Sequence, residues 1–103
     1  MIEIKRLCKK IKGEIHDAEE YARDALMVRD TDKMLGDEYY RLANEELKHM
    51  ESLHNQVVRL INKYRMETGK EPPADMQAKY DYIHEEQIEM IRDVKILLSM
   101  YKG

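Results

Sequence analysis

Several residue types are scarce in this chain, and each shortage narrows the choice of fold. The 103 residues include no phenylalanine, no tryptophan, two prolines, four glycines and one cysteine. So few helix breakers, together with 38% charged residues, are typical of long helices rather than of a β-sheet or a disordered chain. The lone Cys8 cannot form an internal disulfide, and its helical neighbours Ile4 and Ile11 indicate a small buried side chain. We therefore expect a cytoplasmic all-α protein.

Long apolar runs and basic clusters are scarce as well. No stretch approaches the roughly 18 consecutive apolar residues that a membrane-spanning helix needs. The first ten residues, MIEIKRLCKK, lack the apolar segment of a signal peptide. The formal net charge is -3 with both signs interspersed, so the sequence has no basic stripe for nucleic acid. We expect neither a membrane nor a nucleic acid as a partner.

Two breaks divide the chain into three helical segments within one domain, 1–103. At the first break, Asp30, Thr31 and Asp32 are all good N-cap residues. At the second, Gly69 fits a helix C-cap and Pro72-Pro73 can begin a helix but not continue one. The predicted helices are about 2–29, 32–67 and 73–101. Each carries an apolar stripe at helical spacing, and short connections make neighbouring helices antiparallel.

The expected architecture is an up-down-up bundle of three long helices that is completed by association. Three helices side by side would leave one side of the middle stripe open, and a helix from a second copy would close it. We therefore expect a homodimer or a higher homo-oligomer. Gly36 lies inside the second helix, where glycine costs about 1 kcal/mol relative to alanine, and this indicates an irregular start of that helix.

The stretch NEELKHMESLH contains two copies of the pattern Glu-x-x-His, Glu46 to His49 and Glu51 to His54. At about 100° per residue, Glu46 lies at the centre of the apolar stripe and His49 about 60° to one side, still on the inner face. Glu51 points to water and His54 lies near the border of the stripe. Only the first copy is therefore predicted to face the interior, and the second is expected to be a surface pair without a role.

A carboxylate in an apolar stripe needs a partner, because a buried charge without one destabilises the fold. If the first two helices pair around Thr31, Glu19 lies one turn from Glu46. Glu19, Glu46 and His49 then form a candidate site for iron or manganese, the metals that suit two carboxylates and one imidazole. The third helix adds His84 as a weaker candidate, since helical pairing leaves it about 10 Å from the level of His49.

Glu19, followed by EELKHMESLHNQVVRLI with Glu46 and His49, resembles the half-site of the ferritin-like superfamily, which includes rubrerythrins and the short encapsulated ferritins. The resemblance covers about the first two helices. It implies a carboxylate-bridged iron pair held by four helices, with ferroxidase- or peroxidase-like activity. In the encapsulated ferritins each chain supplies half of the site, so the resemblance also implies that a dimer completes it.

The chain departs from the superfamily pattern in three respects. It has one inward Glu-x-x-His where a single-chain member has two, it lacks a fourth helix, and its third helix offers His84 and Gln87 where the pattern has a glutamate. These departures leave two alternatives open. One is a metal site across a dimer interface, and the other is a metal-free helical module that associates with itself.

Overall fold

The computed structural model of the protein describes residues 2–102, which form three α-helices. They are α1 (Ile2–Val28), α2 (Lys33–Thr68) and α3 (Ala74–Lys102), and residues 2–102 contain no β-strand. The prediction of an all-α protein with three long helices is thereby confirmed. Met1 and Gly103, the two ends of the predicted domain, lie outside the described residues.

The helix ends are closed by residues that the sequence singled out. The Asp32 side chain accepts a hydrogen bond from the Leu35 N–H at 3.1 Å and so caps the start of α2. Gly69 follows the end of α2 with φ 66°, and its N–H donates to the Arg65 carbonyl at 2.8 Å. Glycine adopts this left-handed conformation without the steric cost that a side chain would bring.

The central element of the bundle is α1, which packs closely along both α2 and α3, while the backbones of α2 and α3 come close to each other at few positions. Cys8 of α1 accepts a hydrogen bond from Gln87 of α3. Arg29, just after α1, donates to the Met100 and Tyr101 carbonyls at the end of α3. Therefore α1 and α3 run in the same direction. The overall dimensions, 57 × 19 × 18 Å, are those of a compact rod. The expected flat row of helices with an open middle stripe is therefore wrong.

The core is built mainly from α1. The buried residues of the three helices are Ile4, Cys8, Ile11, Ile15, Ala18, Ala22 and Ala25; Gly36, Ala43 and Val57; and Gln87, Val94, Leu98 and Tyr101. The buried residues of α2 are small or medium-sized, whereas its larger apolar residues Leu42 and Leu53 are only half-buried. None of the helices in residues 2–102 is apolar over enough of its length to cross a lipid bilayer.

Gly36 lies where the start of α2 meets the ends of α1 and α3. A Cβ atom on Gly36 would lie 2.8 Å from the Tyr101 hydroxyl oxygen and 3.3 Å from the Arg29 Cα. Tyr101 is held there because its ring stacks on Tyr40 and its hydroxyl donates a hydrogen bond to Asp37 at 2.6 Å. Since α2 is helical from Lys33 onward, Gly36 marks a close contact rather than the expected irregular start.

Candidate metal centre

Two carboxylates and one imidazole meet between α1 and α2. Glu14 of α1 and Glu46 and His49 of α2 each place one potential ligand atom within 4.8 Å of the others. The His49 Nδ1 atom lies 3.7 Å from Glu14 Oε2 and 3.8 Å from Glu46 Oε2. These distances are too long for hydrogen bonds. They suit two ligands of one ion, since ligands at about 2.1 Å from a metal lie at most about 4.2 Å apart.

The three side chains differ in their exposure to solvent. Glu46 is 19% exposed, Glu14 27% and His49 58%. The prediction that Glu46 is withdrawn from water is met in part, because the side chain is shielded but not enclosed. The prediction that His49 lies on the inner face is wrong. Since the face that α2 buries is that of Gly36, Ala43 and Val57, the flank that carries His49 is turned outward.

The pKa of Glu46 is raised because the Glu14 carboxylate lies beside it. A hydrogen bond that protonated Glu46 donates to the Glu14 carboxylate, partial burial and the negative charge of Glu14 together raise the pKa of Glu46 to about 7. The charge of Asp17 acts in the same direction, while the nearby His49 lowers this pKa. A second carboxylate this close disfavours the charged form of Glu46 unless a cation neutralises it. The two carboxylates therefore create a negative potential, and binding of either a proton or a metal ion between them reduces it.

We expect Glu46→Gln to stabilise the protein in a pH-dependent manner. The pKa of Glu46 is about 7 in the folded state and 4.5 without the fold, so the folded state binds more protons between these values. Stability therefore falls as pH rises from about 4.5 to about 7, and the cost is fully present above 7. Glutamine removes this cost, so the variant should be about 1 to 2 kcal/mol more stable than the parent at pH 8. Urea denaturation at pH 4.5 and pH 8 measures the free energy of unfolding.

The matched control for this prediction is Glu51→Gln, which alters an exposed glutamate of the same helix. It should leave the free energy of unfolding nearly unchanged at both pH values. A Glu46→Gln effect of equal size at pH 4.5 and pH 8 would contradict the raised pKa of Glu46, because with that pKa the parent carboxyl is already neutral at the lower pH.

The structure does not bring Glu19 to this cluster, so its predicted convergence with Glu46 and His49 is wrong. Glu19 is ion-paired with Arg23 at 3.2 Å. At about 100° per residue, it lies on the flank of the buried α1 stripe opposite to Glu14. The contacts of neighbouring residues show which helix packs on each flank of α1. Lys12, on the flank of Glu19, pairs with Glu86 of α3. Tyr21, on the side of Glu14, stacks on Tyr39 of α2.

His84 also lies apart from the cluster, in a stack of rings between α2 and α3. Its ring centroid is 5.1 Å from that of His54 and 5.8 Å from that of Tyr80. Burial and the neighbouring His84 lower the pKa of His54. His54 was expected to be a surface residue without a role, yet it is half-buried in this stack, whereas Glu51 is exposed as predicted.

Glu14 is the site residue that sequence reasoning missed, although a signal for it was present. Pairing of the helices around Thr31 places residue 16 level with Glu46, because both are fifteen positions from Thr31. Glu14 is within one helical turn of that level, closer than Glu19. A second group of acidic and histidine residues, His16, Asp17 and Glu20, follows on the exposed side of α1.

Comparison with known proteins adds no relative to this description. No family model, curated protein or solved structure matches the chain significantly. The function must therefore be inferred from the arrangement of these residues.

Proposed function

We propose that this protein binds a divalent transition-metal ion, iron or manganese, through Glu14, Glu46 and His49. The observation that carries the proposal is the convergence of three potential ligand atoms from two helices within 4.8 Å. Carboxylate oxygens with an imidazole nitrogen are a donor set that suits both metals. The proton that Glu46 retains up to a pKa of about 7 would be released on binding, so the positive charge of the ion would replace that of the proton.

The proposal includes a second copy of the chain. Three protein ligands leave coordination positions open, and His49 is exposed enough for another molecule to approach it. Glu14 lies on the flank of α1 away from α3, so two α1–α2 pairs can face each other there without displacing α3. This arrangement would create the four-helix, ferritin-like site that the resemblance implies. A cytoplasmic location belongs to the same proposal.

A metal bound in such a site would supply redox chemistry toward oxygen or peroxide, the ferroxidase- or peroxidase-like activity of the proposal. The protein would hold the ion between two helices and release the proton of Glu46 when the ion binds. Glu14 and Glu46 neutralise the charge of the ion, and half-burial limits the access of water to both carboxylates.

We expect Mn²⁺ or anaerobic Fe²⁺ to bind with an affinity that falls as the solution is acidified. Since a proton on Glu46, with pKa about 7, competes with the metal, affinity at pH 5.5 should be at least roughly tenfold weaker than at pH 7.5. Isothermal titration calorimetry at the two pH values, in buffers of different ionisation enthalpy, measures both the affinity and the proton release. Sedimentation velocity on the same samples tests whether the metal converts the chain to a dimer.

Two results would oppose different parts of this proposal. The absence of binding at pH 7.5 with millimolar metal would reject the metal site itself. Tight binding by a species that stays monomeric would retain the metal site and reject its completion by a second copy.

The metal-free, self-associating module is the second candidate, and one surface favours it. Ile88 and Ile96 of α3 are 42% and 53% exposed, and with Ile91 they line a shallow outer groove. Large apolar side chains exposed together indicate a contact surface. Association that persists in a chelator and is abolished by Ile96→Glu would support this function. Association that requires the metal would support the first proposal.

A further inference from the structure

A cleft of about 390 Å³ lies between the first half of α1, the last turns of α2 and the start of α3. This volume is within the range of small-molecule sites, about 300 to 1,000 Å³. The floor of the cleft is defined here as its buried and half-buried apolar or aromatic lining residues within the three helices. These are Ile4, Cys8, Ile61, Met76, Tyr80 and Ile83. Burial raises the pKa of the Cys8 thiol, as expected for a group on an apolar wall.

The cleft floor offers little to a polar ligand. Gln87 is the buried amide that lines it, and its Nε2 already donates to the Cys8 carbonyl at 3.2 Å. Among the residues that the structure describes, no buried side-chain polar atom is left without a partner. An occupant that reaches the floor therefore gains mainly from removing apolar surface from water.

The rim of the cleft is positively charged, although the chain as a whole carries a net charge of -3. Four lysines line it, Lys5, Lys9, Lys12 and Lys79, against one acid, Glu86. Lys12 and Glu86 pair with each other at 3.5 Å. Within residues 2–102, the ammonium groups of the other three lysines have no carboxylate within 4.0 Å. The amino-terminal end of α3 adds the positive end of its helix dipole near Met76.

We propose that this cleft binds a free single-chain amphiphile with an anionic head group, of which a medium-chain fatty acid is the simplest example. The apolar tail occupies the floor, and the carboxylate lies at the rim against Lys5, Lys9 and Lys79. The combination of an apolar floor and an excess of positive charge at the rim matches both ends of such a molecule. The site lies on the flank of α1 opposite to Glu14, so it is independent of the metal proposal.

Calorimetric titration of the full chain with monomeric dodecanoate, below its micellar concentration, tests the inference. We expect one molecule per chain, and dodecyltrimethylammonium, which has the same tail and the opposite charge, should bind at least about tenfold more weakly. The double variant Lys9→Gln/Lys79→Gln should weaken dodecanoate binding about tenfold, the loss expected for charge-assisted contacts. The control Lys48→Gln, on exposed α2 surface, should leave it unchanged.

Cys8 provides a second readout that needs no variant. It is the single cysteine of the chain and lines the cleft, so dodecanoate should slow its reaction with a small methanethiosulfonate reagent at least about tenfold if occupancy is near saturation. Equal affinity for the anionic and cationic amphiphiles would overturn the proposal, as would binding without protection of Cys8. Adsorption to anionic vesicles without binding of free dodecanoate would also overturn it, in favour of contact with a membrane surface.

Discussion

Glu14→Gln is expected to weaken the binding of Mn²⁺ or Fe²⁺ more than about a hundredfold, because loss of even an outer-sphere partner of a metal ligand costs about 10- to 100-fold. An amide oxygen has the shape of the carboxylate oxygen that it replaces, but it carries no charge to neutralise the ion. Glu19→Gln, five residues later in the same helix, should leave the affinity unchanged, since Glu19 is paired with Arg23 on the other flank of α1. Calorimetry at pH 7.5 on both variants measures the effect.

The two variants test which flank of α1 faces α2. In the structure it is the flank of Glu14, whereas the sequence led us to expect the flank of Glu19. Both substitutions remove one negative charge from α1, so a change in the general electrostatic attraction of metal would affect them equally. A larger loss with Glu19→Gln than with Glu14→Gln would mean that the helices pair in the rotation expected from the sequence. Circular dichroism of each variant shows whether the helical content is retained.

Gly36→Ala should destabilise the protein while Gly13→Ala stabilises it. A methyl group on Gly36 would meet the Tyr101 hydroxyl at 2.8 Å and the Arg29 Cα at 3.3 Å. Such overpacking costs about 1 to 3 kcal/mol and exceeds the helix-propensity gain of about 1 kcal/mol. A methyl group on Gly13 would have no neighbouring atom within 4 Å, so only the gain of about 1 kcal/mol applies there. The two melting temperatures should differ by roughly 10 °C.

Tyr101→Phe identifies the cause of the Gly36 effect. This substitution removes the hydroxyl that meets the new methyl group, together with its hydrogen bond to Asp37. The double variant Gly36→Ala/Tyr101→Phe should therefore be more stable than the sum of the two single effects predicts. Strict additivity of the two changes would show that the Tyr101 contact does not explain the requirement for glycine.

Much of the fold could be read from the sequence because its signals are local. Asp32 and Gly69 mark helix ends through hydrogen bonds within a few residues of themselves, and the apolar spacing of Ile4 to Ala22 needs only the geometry of one helix. The packing of the three helices is not local. Which helix becomes central depends on where small residues such as Ala43 and Gly36 permit close approach, and periodicity alone does not rank the three stripes.

The candidate site illustrates the same limit. Periodicity placed Glu46 at the centre of the apolar stripe, whereas the structure leaves it shielded but not enclosed. Glu14 and Glu19 flank the α1 stripe almost symmetrically. Whether α2 packs on the flank of Glu14 or on that of Glu19 depends on the handedness of the bundle. The apolar spacing within a single helix does not determine that handedness. The outward rotation of His49 has the same origin, because it follows from the side of α2 that meets α1.

Because α1 is central, both of the large helix–helix interfaces within residues 2–102 include it. An opening of α1 would leave α2 and α3 joined mainly by a few ring contacts, so unfolding should occur as one cooperative event. Glu14 and Cys8 lie on opposite flanks of the same 27-residue helix, α1. An ion held on one side and an amphiphile held on the other would therefore delay the same melting transition, although the two never meet.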